Sequence, residues 1–194
     1  MIEVHVWKVR LDRRASLDST PAELAHAERL ATPVLRLRYL RAHAALRDIL
    51  GRYTAAPLEF ARHPRGKPYL ASDDAVRFNL AHSRGMALVA VARGREIGVD
   101  LERLRPLPDY GAIARRYFPA DTPAPVNVRD FFGQWTRFEA LLKAQGTGLF
   151  AIGEAPPGEW SVTAIEAGPR FAAALAAQGD PPAIEFHEYP IKEN

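Results

Sequence analysis

Three strand-like segments in succession, joined by short turns, constrain the fold of this 194-residue sequence more than any other feature. They cover residues 76–82, 86–92 and 97–102, and each is rich in aliphatic residues. The connections between them contain Gly85 and Gly94, and glycine is typical of tight turns. Because strands joined by tight turns pair in opposite directions, these segments predict an antiparallel sheet.

Patterns typical of helices and of further strands flank these segments on both sides. Thr20 before Pro21 is typical of a helix start, and Pro33 interrupts the helical pattern that follows. We predict helices at 21–30, 34–53, 110–117, 131–145 and 170–178, strands at 2–10, 160–166 and 184–189, and a basic turn between short extended pieces at 60–70. The predicted fold class is therefore α+β. Helix and hairpin patterns in both halves permit two similar lobes without showing them.

Charge is distributed unevenly along the chain, although the net charge is only +3. Residues 1–70 contain 13 Lys/Arg and 7 Asp/Glu, a balance of +6, whereas residues 151–194 contain 2 and 7, a balance of −5. A basic N-terminal part suits an anionic ligand or an acidic partner protein, and an arginine-rich solvated surface explains the same counts. Nucleic acid is not favoured as a partner, because no basic run is interleaved with aromatic residues.

The composition also limits the cellular setting. The sequence has no cysteine, which excludes disulfides and thiolate metal sites and suits a reducing compartment. Residues 1–7 alternate like a strand and lack the build of a signal peptide, and no apolar run approaches the roughly 20 residues that span a bilayer. We therefore expect a cytoplasmic protein that has no membrane partner.

Three carboxylates and one lysine form the main candidate site. Asp100 and Glu102 are two residues apart in a strand pattern, so their side chains project to the same side. Glu139 and Lys143 are one turn apart on the predicted helix 131–145 and share a face. If this helix faces the strand, the carboxylates form a site for a hard cation such as Mg²⁺, which prefers oxygen ligands. Ordinary surface ion pairs explain the same residues equally well.

Two further features have both a functional and a structural explanation. His82 ends a predicted strand just before Ser83-Arg84-Gly85, where it can meet a phosphate or serve as a half-buried structural histidine. Gly146-Thr147-Gly148 is similar to part of a phosphate loop, but glycine directly after a helix is better explained as its C-terminal cap.

Four sequence blocks in this order resemble the 4′-phosphopantetheinyl transferases of the Sfp-like type. They are Gly66-Lys67-Pro68, residues 78–83 (FNLAHS), residues 97–102 (IGVDLE), and Trp135-Thr136 followed by Glu139-Ala140 and Lys143. The resemblance covers roughly residues 20–178.

The resemblance implies an α+β fold of two similar α/β lobes related by a pseudo-twofold axis. Each lobe has a small, mainly antiparallel sheet and a long helix, and coenzyme A binds in the cleft between them. Residues 1–96 form the N-terminal lobe, on the side of the coenzyme A phosphates and adenine, and residues 97–194 form the C-terminal lobe with the metal and the catalytic residues. The implied reaction moves the 4′-phosphopantetheine arm from coenzyme A to a serine of an apo acyl or peptidyl carrier protein and releases 3′,5′-adenosine bisphosphate. A monomer suffices for this reaction.

The resemblance also assigns roles to individual residues. Asp100, Glu102 and Glu139 coordinate Mg²⁺ at the pyrophosphate, and Asp100 also counts as catalytic. Glu139 doubles as the base for the carrier serine, and Lys143 neutralises charge on the transferred phosphate. The resemblance also places six residues against coenzyme A, and each is basic or next to a basic residue: Arg29, Arg62, Lys67, Pro68, His82 and Lys143.

This sequence departs from the family pattern at three positions. Phe138 stands where the family usually has a lysine, Ala81 replaces the serine that commonly precedes the histidine, and His43 stands where many members carry arginine. None of these replaces a carboxylate or Lys143, so we expect an active enzyme. Two alternatives remain: a catalytically weakened member that binds coenzyme A or a carrier protein, and a Mg²⁺-dependent hydrolase of nucleotide pyrophosphates.

Overall fold

A computed structural model of the protein describes residues 3–12, 18–147 and 158–190. In this part of the chain there are four helices and nine strands, which confirms the α+β class. The helices are α1 (Pro21–Glu28), α2 (Pro33–Leu50), α3 (Tyr110–Tyr117) and α4 (Val128–Gln145). The strands are β1 (Glu3–Arg10), β2 (Phe60–Arg62), β3 (Pro68–Leu70), β4 (Val76–Ser83), β5 (Met86–Arg93), β6 (Ile97–Arg103), β7 (Trp160–Ala164), β8 (Phe171–Gln178) and β9 (Ala183–Glu188).

The first sheet has the strand order β4-β5-β1-β9. Strands β4, β5 and β1 pair antiparallel, whereas β9 returns to lie parallel to β1 at the edge. The turn between β4 and β5 is tight because Arg84 adopts a positive φ of 57°. A separate two-stranded antiparallel ribbon, β2-β3, confirms the predicted basic turn between two short extended pieces.

The second sheet has the order β6-β8-β7, with both pairs antiparallel. The prediction of one sheet from three successive strands is therefore wrong for its last member, because β6 leaves β5 and pairs with β8. The turn at Gly94 carries the chain from one sheet to the other instead of closing a hairpin. The two predicted strands near the C-terminus are also separated, since β7 lies in the second sheet and β9 in the first.

The predicted helix at 170–178 is wrong, because these residues form β8 in the middle of the second sheet. The segment FAAALAAQ is rich in alanine, which favours a helix in isolation. Here the residues pair with β6 on one side and β7 on the other, and five of them are buried. Long-range pairing therefore overrides the local preference.

The two sheets pack face to face, and each carries a helix on its outer side. Residues of β1, β4 and β5 meet residues of β6 and β8 in one buried cluster that includes Val6, Leu88, Val99 and Leu175. The opposite face of the first sheet packs against α2. Because side chains alternate along a strand, Ile97, Val99 and Leu101 point into the core between the sheets, and Asp100 and Glu102 point outward toward α4.

Helix α4 approaches the second sheet closely, because small residues face each other across the contact. Ala140 and Ala144 of α4 pack against Ala174 and Ala176 of β8. At Gly98 a Cβ atom would overlap the backbone of Ala140 and Ala144. This close contact brings the functional side chains of β6 and α4 together.

The ends of the helices follow local signals in the sequence. Thr20 and Glu23 form a capping box at the start of α1, and Thr32 caps α2 ahead of Pro33. Asn127 caps α4, which starts three residues earlier than predicted, and Gly146 ends it in the left-handed conformation, as expected of a C-terminal cap. Gly148 of the predicted glycine pair lies outside the described residues. No helix in the described ranges combines the length and apolar character needed to cross a membrane.

Candidate active site

The central contact of the candidate site joins β6 to α4. The Nζ atom of Lys143 donates to Oδ1 of Asp100 at 2.6 Å. Asp100 is only 6% exposed, and its second oxygen, Oδ2, is buried without a hydrogen-bond partner. A buried carboxylate oxygen with no donor is costly, so it marks a place where a cation would be favourable.

Glu102, on the same side of β6, is held by a residue from the first sheet. Its Oε2 accepts from Oγ of Ser83 at 3.2 Å and lies 3.3 Å from Nη1 of Arg105. The same Ser83 hydroxyl accepts from the backbone N–H of Arg103 at 3.0 Å. Ser83 therefore orients Glu102 across the two sheets. The FNLAHS block contains Ser83, but the sequence alone does not predict this role for it.

Glu139 of α4 faces the other two carboxylates. Burial raises the pKa of its carboxyl group above the ordinary value, and the charges of Asp100 and Glu102 raise it further, while Lys143 acts in the opposite direction. The three carboxylates therefore share one electrostatic environment, which two unrelated surface pairs would not. The three carboxylates are spaced more widely than the ligands of one ion, because their oxygens do not all lie within 4.8 Å of one another. Among the described residues, only a different group meets that distance.

The donor set fits a hard divalent cation. All three side chains offer carboxylate oxygens, which Mg²⁺ prefers. The unpartnered oxygen of Asp100 and the raised pKa of Glu139 are both relieved by added positive charge. In this structure the Lys143 ammonium supplies part of that charge.

A cleft of about 590 Å³ is lined by residues of the N-terminal half of the chain. Four of the predicted coenzyme A residues line it: Arg29, Arg62, Pro68 and His82. Burial lowers the pKa of His82, and the positive charge of Lys143 lowers it further. His82 lines the cleft, and the next residue, Ser83, donates to Glu102, so the end of β4 connects the cleft to the carboxylate site.

The cleft contains polar residues that sequence reasoning did not assign. Tyr39, His43 and Arg47 of α2 line it and are four residues apart, so they share one face of the helix. The ring of Tyr39 stacks on His26 of α1, with ring centroids 4.5 Å apart, and Arg47 forms an ion pair with Glu23. The i, i+4 spacing of these three residues was the signal in the sequence that could have found them.

Lys67 does not line this cleft. Its Nζ atom donates to the backbone oxygens of Ala144 at 2.7 Å and Ile97 at 3.1 Å, and it forms an ion pair with Glu96. The side chain is 9% exposed, and burial lowers the pKa of its ammonium group. Lys67 thus ties the C-terminal end of α4 to the start of β6. A contact with a coenzyme A phosphate stays a prediction for this residue.

Two departures from the family pattern have structural explanations. Phe138 packs into an aromatic cluster with Phe118 and Trp135, at centroid distances of 5.9 Å and 6.4 Å. Ala81 lies in the core between the two sheets and not in the cleft, so a hydroxyl there would be buried away from a bound phosphate. His43, the third departure, lines the cleft, and burial lowers its pKa.

Carboxylates with a lysine, near a cleft lined by arginines, suit an enzyme that transfers phosphate-containing groups. No family model matches the chain. Curated relatives do: the 4′-phosphopantetheinyl transferase HetI of Nostoc sp. is 38% identical over 173 residues, covering 78% of this chain and 72% of HetI. The 4′-phosphopantetheinyl transferase AcpT of Escherichia coli K12 is 26% identical over 155 residues, covering 76% and 77%.

A 4′-phosphopantetheinyl transferase of Bacillus subtilis is 28% identical over 101 residues, covering 48% of this chain and 44% of the relative. Together with HetI, these similarities show that the chain belongs to the 4′-phosphopantetheinyl transferase family. The resemblance in the four sequence blocks and the prediction of a transferase are therefore confirmed at the level of the family.

Proposed function

We propose that this protein, as an Sfp-like member of its family, transfers the 4′-phosphopantetheine arm of coenzyme A to a serine of an apo acyl or peptidyl carrier protein. The products are the holo carrier protein and 3′,5′-adenosine bisphosphate. One observation carries the proposal: His82 lines the cleft together with Arg29 and Arg62, and the next residue, Ser83, donates to Glu102 of the carboxylate site. A polyanionic ligand held in that cleft has its reacting phosphate near a base and a cation.

The proposed lobes correspond to residues 1–96 and 97–194. Support for a pseudo-twofold relation comes from the equivalent placement of α2 on the first sheet and α4 on the second. The strand β9 crosses from the second half of the chain to pair with β1. Because both sheets and the cleft belong to a single chain, we propose that the protein acts as a monomer.

Asp100, Glu102 and Glu139 are the residues that would hold Mg²⁺. When bound, the ion would neutralise charge on the pyrophosphate of coenzyme A, which is the main requirement of phosphoryl transfer. The raised pKa of Glu139 and the unpartnered Oδ2 of Asp100 support this assignment.

The other roles in the proposed reaction belong to side chains of the protein and do not involve the metal. Arg29 and Arg62 line the cleft and bind the phosphates at the nucleotide end of coenzyme A. Glu139 accepts the proton of the carrier serine, a role that suits a carboxylate whose pKa is raised above its ordinary value. Lys143 forms an ion pair with Asp100 and neutralises the charge that develops on the transferred phosphate.

The test of this assignment compares Glu139→Gln with Glu59→Gln in the transfer reaction. Glu139→Gln keeps the size of the side chain and removes its ability to accept a proton, so transfer should fall by at least about 100-fold. Glu59 is an exposed glutamate outside the cleft lining, and its variant should transfer at the wild-type rate. The readout is the mass of the carrier protein with time. Wild-type rates in Glu139→Gln would show that the base is a different group.

One observation keeps a second function under consideration. Phe138 supplies no charge beside Glu139, and its packing against Phe118 leaves the site with one cation fewer than the family pattern. A weakened member of the family would bind coenzyme A through the cleft without turnover. Calorimetry with coenzyme A, combined with the transfer assay, separates the two functions. A weakened member binds coenzyme A but transfers the arm to none of the carriers tried, whereas an active transferase modifies at least one of them.

A further inference from the structure

A second group of ligand-type side chains lies at the edge of the first sheet, on residues that the proposed reaction does not use. His5 is on β1, and Glu185 and His187 are on the edge strand β9. The parallel register pairs His5 with Glu185 and Trp7 with His187. Because side chains alternate along each strand, all three ligand-type residues lie on the face of the sheet that carries Trp7.

The distances within this group are close to the separation of ligands on one ion, with the two imidazole nitrogens about 0.2 Å nearer to each other than in a tetrahedral zinc site. Nε2 of His187 is 3.1 Å from Nδ1 of His5 and 3.4 Å from Oε1 of Glu185. Ligands held tetrahedrally at about 2.0–2.2 Å from Zn²⁺ are separated from one another by about 3.3–3.6 Å. One ligand atom from each of the three residues lies within 4.8 Å of the others, and no other His/Asp/Glu group in the described ranges does so.

Neighbouring side chains hold the two imidazole rings in place. The ring of His187 stacks on Trp7, with centroids 4.4 Å apart, and on His5 at 5.0 Å. Tyr53 meets His5 edge-on at 5.4 Å and accepts a hydrogen bond from Nε1 of Trp7. Ring orientations that are fixed before binding reduce the entropy lost when a metal is bound.

The second nitrogen of His5 also has a carboxylate nearby. Oε2 of Glu3 lies 3.6 Å from Nε2 of His5, the nitrogen that does not contact His187, and Oε2 of Glu185 lies 3.9 Å from the same nitrogen. A carboxylate that accepts from the non-coordinating nitrogen of a histidine ligand fixes the ring and makes the coordinating nitrogen more basic. Glu3 is placed to take this outer role.

An ion can reach the group directly from solvent. The side chains of His5 and His187 are 26% and 23% exposed, and that of Glu185 is 51% exposed. The imidazoles are thus partly shielded by aromatic rings while the carboxylate remains free to adjust its position.

We propose that His5, Glu185 and His187 bind a divalent transition-metal ion, with Zn²⁺ the best match, and that the ion fastens β9 to β1. Two imidazoles and one carboxylate are ligands that Zn²⁺ accepts readily, in contrast to the oxygen-only set that suits Mg²⁺. Three protein ligands leave the fourth position to water.

The expected consequence is a gain in stability. His5 and His187 are 182 positions apart in the sequence, so the ligands come together only when β9 is paired with β1. An ion that binds the folded chain and not the unfolded chain raises the melting temperature in proportion to the logarithm of its concentration above the dissociation constant.

The experiment titrates protein that has been freed of any purification tag and of metal with Zn²⁺ by calorimetry, and with Co²⁺ by visible absorption. Wild-type protein should bind one ion per chain and melt at a higher temperature when Zn²⁺ is present. His5→Gln, His187→Gln and Glu185→Gln should each weaken binding by at least about tenfold, because even outer partners of metal ligands are worth about 10- to 100-fold. His63→Gln is the control, since His63 is exposed and stacks on Tyr69 away from this group.

The controls separate a wrong proposal from a damaged fold. The three variants should keep their transferase activity, because none of the residues lies in the cleft or among the three carboxylates. Glu185→Gln removes a ligand from an exposed position and leaves the aromatic packing intact. The proposal is overturned if wild-type protein binds no Zn²⁺, or if Zn²⁺ binding persists in His5→Gln and His187→Gln, as it would for an ion held by the three carboxylates.

Discussion

Removing the ammonium group of Lys143 should destabilise the protein even before any substrate is added. In Lys143→Met the carboxylate of Asp100 loses its hydrogen-bonded cation, and its other oxygen already lacks a partner. Loss of one partner from a fully buried ion pair costs about 3–5 kcal/mol. Here the Asp100 side chain is 9% exposed but that of Lys143 is 31% exposed, so we expect about 2–3 kcal/mol after allowance for solvent screening.

Urea unfolding in metal-free buffer measures this cost, and a double-mutant cycle identifies its origin. In the Asp100→Asn background the same Lys143→Met change should cost less than about 1 kcal/mol, because the buried carboxylate that Lys143 contacts is already gone. Added Mg²⁺ should stabilise Lys143→Met more than wild-type protein, since the ion then meets the three carboxylates without a competing ammonium group. Equal losses in both backgrounds would refute the reasoning and assign the effect to the packing of α4.

Three further predictions concern the contact between α4 and β6. Gly98→Ala on β6 should destabilise the protein by about 3 kcal/mol or more, because the added Cβ overlaps the backbone of α4. Gly133→Ala within α4 should stabilise it by about 0.5–1 kcal/mol, since its Cβ meets nothing within 4 Å. Thermal melts compare the two variants, and similar melting temperatures would contradict the packing. Lys67→Met should cost about 3 kcal/mol in urea unfolding, because the oxygens of Ala144 and Ile97 lose a buried donor, and an unchanged midpoint would show that the contact is not needed. The raised pKa of Glu139 means that its ionised form opposes folding, so Glu139→Gln should be more stable than wild-type protein at pH 7. The difference in stability should vanish as the pH falls below the ordinary carboxyl pKa of 4.5. A difference that does not depend on pH would contradict this explanation.

The predicted placement of the candidate site residues on one strand and one helix is confirmed, and it rests on local periodicity. Strand alternation places Asp100 and Glu102 on one side of β6, and helical spacing places Glu139 and Lys143 on one face of α4. The Ile-Gly-Val pattern ahead of Asp100 is explained by the same geometry: Ile97 and Val99 fill the core, and Gly98 leaves room for the helix. The C-terminal cap at Gly146 was predicted from the same kind of local signal, whereas the cap at Asn127 was not, so the helix was predicted to start three residues late.

The errors arise where distant parts of the chain decide the structure. Residues 171–178 form a strand because β6 and β7 flank them, and no nearby residue signals this pairing. Strand β6 belongs to the second sheet, and its apolar side chains pack against the first sheet in the core between them. The ammonium of Lys67 contacts residues about 30 and 77 positions away, which a short Gly-Lys-Pro block does not reveal.

The central claim is that the basic cleft and the three carboxylates together perform a transfer reaction, and measuring both products in one experiment tests it most directly. Purified protein, Mg²⁺ and coenzyme A are combined with each of several apo carrier proteins, and carrier mass and free 3′,5′-adenosine bisphosphate are quantified with time. We predict that at least one carrier gains one phosphopantetheine arm for each adenosine bisphosphate released, and that nothing is released when carrier is left out. Release without carrier would identify a hydrolase, and the absence of both products with every carrier would contradict the account.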